Sequence, residues 1–389
     1  MQALTYLEEY HSFKEAALNS RFLKHKTIQQ LIKKLPEAFE QRCIGQSHEG
    51  RDINLIQWGN GSIKVFLWSQ MHGDEATGTM ALFDLFNFLQ LPQFQEISSL
   101  LAKSCTLYLL PMVNPDGAER FVRRNAQQID INRDFNHQVS PEARLLKNTR
   151  AEINPHFGFN LHDQSTLWSV KKTGKPATLS YLAPAFDEAL SVNEVRQNAM
   201  LVIAQMYKYL NPLLPQQIGL FDDEYEARAF GDNFQAAGTS TILIEAGGMF
   251  GDEEKQEIRK YFFLSILSGL YAISTRNYVE EPLQHYFSIP KNNKEIFHIL
   301  IKNLLHQDIR VSIGLSYEEE PAEQGYATVK TYTIKDIGDL DHLGAYHIYK
   351  EETLQIEGPI DIYQPANFTL KKDNMILLSF KNGILQSKL

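Results

Sequence analysis

Cysteine is scarce in this sequence, and its scarcity excludes two classes of protein. Cys43 and Cys105 are its two cysteines among 389 residues. Two thiols form at most one disulfide, so disulfide bonds cannot be a main source of stability. A zinc site built from several cysteines is excluded by the same count. We expect both thiols to be core side chains in a reducing compartment.

Long apolar runs and an export signal are also absent. The longest nearly apolar stretch, Tyr261 to Ile273, spans 13 residues and contains two serines and a glycine. A membrane-spanning helix needs about 20 apolar residues, so this stretch predicts a buried helix instead. The N-terminal region carries Glu8, Glu9 and Glu15 where a secretory signal needs an uninterrupted apolar core. We therefore expect a cytoplasmic protein that does not contact membranes.

Basic blocks and phosphate-binding glycine loops are likewise missing. The formal net charge is −9 and the isoelectric point is near 5.8. Short pairs such as Lys33-Lys34 and Lys171-Lys172 are typical of solvated surfaces rather than of a nucleic-acid interface. We expect no nucleic-acid partner, and the sequence leaves the oligomeric state open.

Apolar strand-like runs alternate with helical periodicity from about residue 50 to 275. This alternation predicts an α/β fold, a mixed twisted β-sheet flanked by helices. The predicted strands are Asn54–Trp58, Lys64–Ser69, Thr106–Met112, Gly158–His162 and Ser240–Glu245. Predicted helices are an amphipathic one after the second strand, Asn193–Leu210 and Glu253–Ile273.

From about residue 284 the pattern changes to β-type segments. Predicted strands there are Arg310–Ser316, Ala327–Ile334, Tyr346–Lys350, Phe368–Leu370 and Met375–Phe380, with a turn at Lys381-Asn-Gly383. We therefore predict a catalytic domain over residues 1–283, with its core at about 45–275, and a small all-β C-terminal domain over 284–389. The second domain shows no cluster of catalytic residue types and is expected to serve packing or interaction.

A histidine and a glutamate follow the second predicted strand at ligand spacing. His72 and Glu75 lie in the loop after Lys64–Ser69. A His-x-x-Glu pair is expected about once by chance in a chain of this composition, so it proves nothing alone. Ligand sites of α/β sheets gather at the carboxyl ends of strands, which favours a functional reading.

Further candidates occur at the ends of two other predicted strands. A zinc hydrolase needs about three ligands, an open position for water, a base and a cation for the oxyanion. His162 ends one β-like run, and Glu245 follows a β-branched run. Between the first pair and His162, Arg124, Asn132 and Arg133 form a cluster suited to binding a carboxylate.

In this order the motifs resemble those of the zinc carboxypeptidase family, peptidase family M14, and of its bacterial cytosolic members. The resemblance covers roughly residues 45 to 275. Its matching motifs are His72-Gly-Asp-Glu75, Pro111-Met-Val-Asn-Pro-Asp-Gly117 and Asn132-Arg133-Asp134-Phe135, followed by the late His162 and the strand-borne Glu245.

The resemblance implies a role for each matched residue. His72, Glu75 and His162 would bind one Zn²⁺ per chain. Glu245 would be the general base in hydrolysis, by a zinc-activated water, of an amide bond next to a C-terminal carboxylate. Arg124, eight residues before Asn132, would polarise the scissile carbonyl.

The resemblance also implies how a substrate is held. Asn132 and Arg133 would grip the terminal carboxylate of a peptide or acyl-amino acid. Tyr225 would be the family's mobile substrate-binding tyrosine, although the match needs a one-residue gap. Asp232 would lie at the floor of the pocket.

Two departures from the digestive carboxypeptidases leave the substrate open. Asp74 replaces an arginine, and Asp134 replaces the last asparagine of Asn-Arg-Asn, so a more acidic pocket is expected. His-Gly-Asp-Glu is also similar to bacterial murein-peptide amidases and, more distantly, to desuccinylase relatives. A zinc amidase or N-acyl amino acid hydrolase is therefore the alternative to a carboxypeptidase, and a non-catalytic binding protein is a third reading.

Overall fold

The chain divides into two compact units in the structure, a computed structural model that describes residues 3–306 and 308–388. The first unit comprises the described residues up to Thr166 together with Ala177–Asn292, and the second comprises Leu167–Pro176 and the described residues from Asn293 onward. The predicted boundary after residue 283 falls at the start of the helix Leu283–Phe287. That helix stays with the first unit because Tyr286 packs into its core.

Ten α-helices occur in the described residues, all within the first unit. They are α1 (Ala3–Glu8), α2 (His25–Ile32), α3 (Thr77–Gln90), α4 (Gln95–Ser104), α5 (Pro115–Arg120), α6 (Pro141–Ile153), α7 (Glu194–Leu210), α8 (Phe230–Ala236), α9 (Gln256–Thr275) and α10 (Leu283–Phe287). Asn193 caps α7 by accepting a hydrogen bond from the backbone N–H of Arg196, so the predicted helix start there is confirmed.

Eighteen β-strands occur in the same described residues. They are β1 (Glu40–Gln46), β2 (Asp52–Trp58), β3 (Ile63–Ser69), β4 (Cys105–Leu110), β5 (Phe157–Asp163), β6 (Ser169–Val170), β7 (Leu179–Leu182), β8 (Ile218–Leu220), β9 (Ser240–Ala246), β10 (Asn292–Asn293), β11 (Ile296–His306), β12 (Ile309–Ala322), β13 (Ala327–Gly338), β14 (Gly344–Lys350), β15 (Leu354–Glu357), β16 (Thr369–Lys372), β17 (Met375–Lys381) and β18 (Ile384–Lys388).

An eight-stranded mixed sheet organises the first unit, in the order β1-β2-β4-β3-β5-β9-β7-β8. The central strands β3, β5 and β9 run parallel and are almost wholly buried. Such strands read as continuous apolar runs because helices cover both faces of the sheet. The predicted α/β fold is thereby confirmed.

The second unit contains two four-stranded sheets, β13-β12-β11-β14 and β15-β16-β17-β18. Apolar side chains from both sheets share one core, which includes Ile301, Leu315 and Phe380. The C-terminal all-β region is therefore confirmed, and the turn between β17 and β18 is the predicted Lys381-Asn-Gly383. The sequence did not predict β11, and it did not assign Leu167–Pro176 to this unit.

The two cysteines differ in their burial. Cys105 is buried as predicted, whereas the prediction of a buried Cys43 is wrong because this residue lies exposed on β1 at the edge of the sheet. Among the described residues, no helix combines the length and apolar character needed to cross a membrane.

Candidate metal centre and active site

The predicted site residues come together at the carboxyl ends of β3, β5 and β9. In the parallel pairing, Ser69 lies opposite Leu161, and His162 lies opposite Glu245. Residues paired across adjacent strands point to the same face of a sheet. His162 and Glu245 are therefore neighbours on one face, and the loop after β3 reaches the same edge.

The loop that carries His72 and Glu75 is held in place by its backbone. Gln70 adopts a left-handed conformation with φ of 51°, and its Nε2 donates to the carbonyl of Gly73 over 2.9 Å. A Cβ added at Gly73 would lie 2.0 Å from the carbonyl carbon of Gly117. Only glycine permits this approach, so the His-Gly-Asp-Glu loop packs directly on α5, the helix of the Asn-Pro-Asp-Gly motif.

The Asn-Pro-Asp-Gly motif has structural tasks. Asn114 caps α5 by accepting from the N–H of Gly117 over 2.9 Å, and its Nδ2 donates to the carbonyl of Arg123 over 3.3 Å. Asp116 is fully buried and accepts from the hydroxyl of Ser47 over 2.7 Å. The motif thus links the β1–β2 turn, α5 and the segment that leads to Arg123.

Glu75 lies between two histidines at the centre of the site. Its Oε1 is 2.7 Å from Nδ1 of His72, and its Oε2 is 2.6 Å from Nδ1 of His162. The ligand atoms of these three buried residues lie within 4.8 Å of one another. Within residues 3–306 and 308–388, no other histidine, cysteine or carboxylate group has this arrangement.

The chemistry of these donors fits a zinc ion. Two imidazoles and one carboxylate whose ligand atoms converge form the donor set of catalytic zinc sites. Burial would lower the pKa of His72, but Glu75 and Asp130 raise it to about 9. Burial would likewise raise the pKa of Glu75, but the two histidines hold it well below its usual range. The pocket therefore favours positive charge beside an ionised carboxylate, which a divalent cation supplies.

Asp130 contacts His72, the first candidate ligand, and the sequence did not point to it. Its Oδ1 lies 3.0 Å from Nε2 of His72, and it also accepts from the N–H of Asn132 over 3.0 Å. A carboxylate on the outer nitrogen fixes the tautomer and orientation of a metal-binding histidine. Asp130 therefore connects the ligand loop to the Asn132-Arg133 segment. The feature of the sequence that could have indicated Asp130 is its position, two residues before Asn132.

Arg123 contacts the site, and Arg124 does not. The Nη1 of Arg123 lies 3.2 Å from Oε1 of Glu75, and its Nε donates to Asp130 over 3.1 Å. Arg124 instead donates to the carbonyl of Gln128 on the exposed side of its loop. The role predicted for Arg124 lacks this geometric support, whereas the preceding residue has it.

Glu245 is buried beside His72, Glu75 and His162, the candidate metal-binding cluster. Its side chain is 8% exposed, and its Oε2 has no hydrogen-bond partner in the described part of the chain. Burial, together with Glu75 and Asp163, raises the pKa of Glu245 well above its usual range. The ammonium of Lys255 opposes this shift; it donates to Asp163 over 3.0 Å and to the carbonyl of Ala246 over 3.1 Å.

Asn132 and Arg133 lie in the short 3₁₀ helix Ile131–Arg133. The Oδ1 of Asn132 accepts from the N–H of Phe230 over 3.0 Å, which leaves the amide N–H groups directed away from that contact. The Nε of Arg133 lies 3.0 Å from Oε2 of Glu226, and its Nη1 donates to the carbonyl of Asn132 over 2.9 Å. Asn132 is thus held by the first residue of α8, and Arg133 by the segment just before that helix.

Tyr225 and Asp232 lie on either side of Glu226 in the sequence, and both are half-buried. Tyr225 is half-buried, and no hydrogen bond joins it to the metal-binding cluster within the described residues. Asp232 accepts from the N–H of Glu226 over 3.1 Å, and burial raises its pKa to about 6. The structure therefore brings Asp232 to the Glu226 turn and leaves Tyr225 apart from the ligands.

Asp74 and Asp134, the two residues that differ from those of the digestive carboxypeptidases, have different surroundings. Burial, and then the charge of Glu75, raises the pKa of Asp74 to about 6. Asp134 is buried, and its carboxylate accepts from the N–H groups of Val139 and Ser140 just before α6. The carboxylate of Asp134 therefore stabilises the loop that leads into α6.

Comparison with known proteins agrees with this geometry. The family model described as zinc carboxypeptidase matches residues 25–178, a segment that contains His72, Glu75 and His162 but ends before Glu245. The probable carboxypeptidase 2 of Trichophyton verrucosum is 29% identical over 101 residues, 26% of this chain and 19% of that protein. Carboxypeptidase D of Drosophila melanogaster is 30% identical over 209 residues, 46% of this chain and 14% of that protein.

A solved structure extends the likeness to the fold. The metallo-carboxypeptidase from Burkholderia cenocepacia has a TM-score of 0.54 at 14% identity, covering 65% of this chain and 69% of that one. The matched segments span about a fifth or less of the two curated relatives above. The family match and the matching fold lead to one conclusion: residues 25–178 resemble the zinc carboxypeptidase family, peptidase family M14, and the first unit has a fold similar to that of a metallo-carboxypeptidase.

Proposed function

We propose that this protein is a zinc-dependent carboxypeptidase that hydrolyses the amide bond next to a free C-terminal carboxylate. The observation that carries the proposal is the position of Glu245. It is a buried carboxylate without a hydrogen-bond partner at Oε2 in the described chain, and it lies opposite His162 in the β5–β9 register. A general base beside the ligands His72, Glu75 and His162 is what this hydrolysis requires.

Each residue has a proposed task. One zinc ion per chain, held by the two histidines and Glu75, would lower the pKa of a water from about 15.7 toward 7. Glu245 would accept a proton at its carboxylate and return it to the leaving amine. Its neutral form is favoured by burial, so the charges of Lys255 and of the metal would together keep it ionised before each cycle.

The terminal carboxylate of the substrate would bind Asn132 and Arg133. The hydrogen bond from Phe230 to Oδ1 of Asn132 supports this role, because it leaves two amide donors for a ligand. The side chain of Arg133 is 38% exposed, so it is accessible to a charged ligand. Holding this end of the substrate would fix the scissile bond one residue inward. Tyr225 and Asp232 would line the neighbouring part of the pocket.

The oxyanion is expected to depend on Arg123 more than on Arg124. Arg123→Ala should lower kcat about 10²- to 10³-fold, because it removes a cation next to Glu75 and to the developing charge. Arg124→Ala is the matched control, since it makes the same change one residue away on the exposed side of the loop. Steady-state kinetics on one peptide would compare both variants. A large loss in Arg124→Ala with none in Arg123→Ala would restore the original assignment.

A peptide-library digest would test the proposed function directly. The full-length, zinc-loaded protein is incubated with free-carboxylate peptides, their C-terminal amides and a set of N-acyl amino acids, and products are identified by mass spectrometry. We expect single residues to be lost from free C-termini, full inhibition by a chelator and recovery on adding zinc. Cleavage restricted to acyl-amino acids would support the amidase alternative. No cleavage together with no bound zinc would support a binding protein.

A further inference from the structure

Three charged side chains, Arg133, Glu226 and Arg228, form two linked ion pairs beside the proposed carboxylate site. The carboxylate of Glu226 lies between two guanidinium groups: Nε of Arg133 is 3.0 Å from Oε2, and Nε and Nη2 of Arg228 donate over 2.8 and 2.7 Å. Two parallel bonds from one guanidinium to one carboxylate fix the geometry of both groups. None of these three residues belongs to the metal-binding cluster.

Glu226 is held by hydrogen bonds to its backbone and to its carboxylate. Its N–H donates to Asp232 over 3.1 Å, its carbonyl accepts from Ala229 over 2.9 Å, and its carboxylate also accepts from the N–H of Arg228 over 3.1 Å. The segment from Glu226 to Ala229 is therefore a closed turn just before α8. A carboxylate anchored in this way can direct a neighbouring guanidinium.

Arg133, Glu226 and Arg228 together carry a net positive charge. The hydrogen bonds from Arg228, and then the charge of Arg133, lower the pKa of Glu226 to about 2, so the carboxylate is ionised at neutral pH. Two cations and one anion give a net charge of +1. Without Arg228, Glu226 would cancel the charge of Arg133 and the site would attract an anionic ligand less strongly.

The contacts of Arg133 leave part of its guanidinium for a ligand. Nε faces Glu226 and Nη1 faces the carbonyl of Asn132, while Nη2 has no hydrogen-bond partner in the described part of the chain. Because Nε is paired with Glu226 and Nη1 with the carbonyl of Asn132, the guanidinium cannot rotate freely. A bound carboxylate would find it already oriented.

We propose that Glu226 is a positioning residue that sets the orientation of Arg133 for the substrate carboxylate, while Arg228 balances the charge of Glu226. The inference rests on the proposed function for the identity of the ligand, a C-terminal carboxylate. The opposite reading is that Glu226 occupies the position of the substrate carboxylate and must be displaced. The two readings predict changes of opposite sign in affinity.

A charge-matched double variant tests the inference. Glu226→Gln with Arg228→Gln removes one negative and one positive charge, so the net charge of the group is unchanged and only the support of Arg133 is lost. Binding is measured in a Glu245→Gln background, loaded with zinc, so that it does not depend on hydrolysis. The probe is a pool of N-acetylated tripeptides with free carboxylates, or the same pool as C-terminal amides, measured by equilibrium dialysis and mass spectrometry.

The expected result is about a tenfold loss of affinity for the free-carboxylate pool, with no change for the amides, because oriented charge-assisted hydrogen bonds act only on the carboxylate. The control is Glu257→Gln with Lys260→Gln, which removes a surface ion pair of α9 in the same way. Its affinity should stay within twofold of the parent. Unfolding would affect both pools equally.

Three outcomes would overturn the inference: equal affinity of parent and double variant, tighter binding by the double variant, or no preference of the parent for free carboxylates. The proposed function is judged separately, by turnover of the same pool with Glu245 intact. A chain that fails to cleave peptides but shows the tenfold difference would keep the positioning role and lose the reaction.

Discussion

Glu245→Gln is expected to lower kcat by about 10²- to 10⁴-fold while the protein keeps its zinc, the range that a positioned general base contributes. Glutamine has the same shape as glutamate and can accept a hydrogen bond, but it cannot take up a proton at neutral pH. The three proposed ligands are other residues, so the metal content should not change. Steady-state kinetics and zinc analysis on the same preparation would measure both quantities.

The surroundings of Glu245 explain why the loss should be large. The side chain is buried, and Oε2 has no hydrogen-bond partner among the described residues, so this oxygen is available to take up a proton. Asp163 on β5 accepts hydrogen bonds from Lys255 and Thr77 at Oδ2, while its Oδ1, like Oε2 of Glu245, has no partner among the described residues. Substitution at this one position should therefore affect the proton transfer and little else.

Glu281→Gln is the matched control for this experiment. Glu281 is also a buried glutamate, 7% exposed, and it is hydrogen-bonded to Gln205 and to His285 rather than to a residue of the metal-binding cluster. The same substitution there should leave kcat unchanged. Unreduced activity of Glu245→Gln, with zinc bound, would contradict the general-base assignment.

The central strands were predictable because their pattern is local. The apolar runs of β3, β5 and β9 are continuous in the sequence, and the observed bounds differ from the predicted ones by one residue at each end or less. Residues that follow such strands meet at one edge of the sheet. This is why His72, Glu75, His162 and Glu245 could be gathered from the sequence before any contact was known.

The choice between Arg123 and Arg124 could not be made in the same way. The two residues are adjacent, and which one faces the site depends on how the chain leaves α5. Phe121 ends α5 in a left-handed conformation with φ of 54°, and the carbonyl of Arg123 is then held by Asn114 and Gly73. These contacts come from segments that are distant in sequence, so spacing alone does not reveal the orientation.

The missed strand β11 has a local cause. Its residues, Ile296–His306, pair with β12 through a register shift between Ile301 and Leu304, and Asn303 has a positive φ of 58°. A bulge of this kind breaks the two-residue alternation by which a strand is recognised. The assignment of Leu167–Pro176 to the second unit depends on long-range contacts, which no local pattern encodes.

The largest effect on stability is expected at Arg259, which is fully buried on α9. It pairs with the equally buried Asp84 of α3, its Nε donating over 2.7 Å, and it also donates to the backbone carbonyls of Glu15 and Leu18. Asp84 in turn accepts from the hydroxyl of Tyr10 over 2.6 Å. This one ion pair therefore holds the N-terminal segment against two helices of the first unit.

Arg259→Met should lower the free energy of unfolding by about 3–5 kcal/mol, because it leaves a carboxylate buried without its counter-charge. Lys260→Met, the next residue on α9, is the control; its surface ion pair with Glu257 should be worth at most about 1 kcal/mol. Urea unfolding followed by circular dichroism would give both values. Equal losses in the two variants would contradict the assignment.

A double variant separates the cost of an unpaired charge from the loss of packing. Burial already raises the pKa of Asp84 despite Arg259, so the carboxylate is costly to keep ionised in the folded protein. Asp84→Asn keeps an acceptor for Tyr10 and removes the charge that Arg259→Met leaves unpaired. The double variant should therefore be more stable than Arg259→Met alone at pH 8. If it is less stable, the hydrogen bonds that Asp84 accepts from Tyr10 and from the N–H of Glu15 contribute more than its unpaired charge costs.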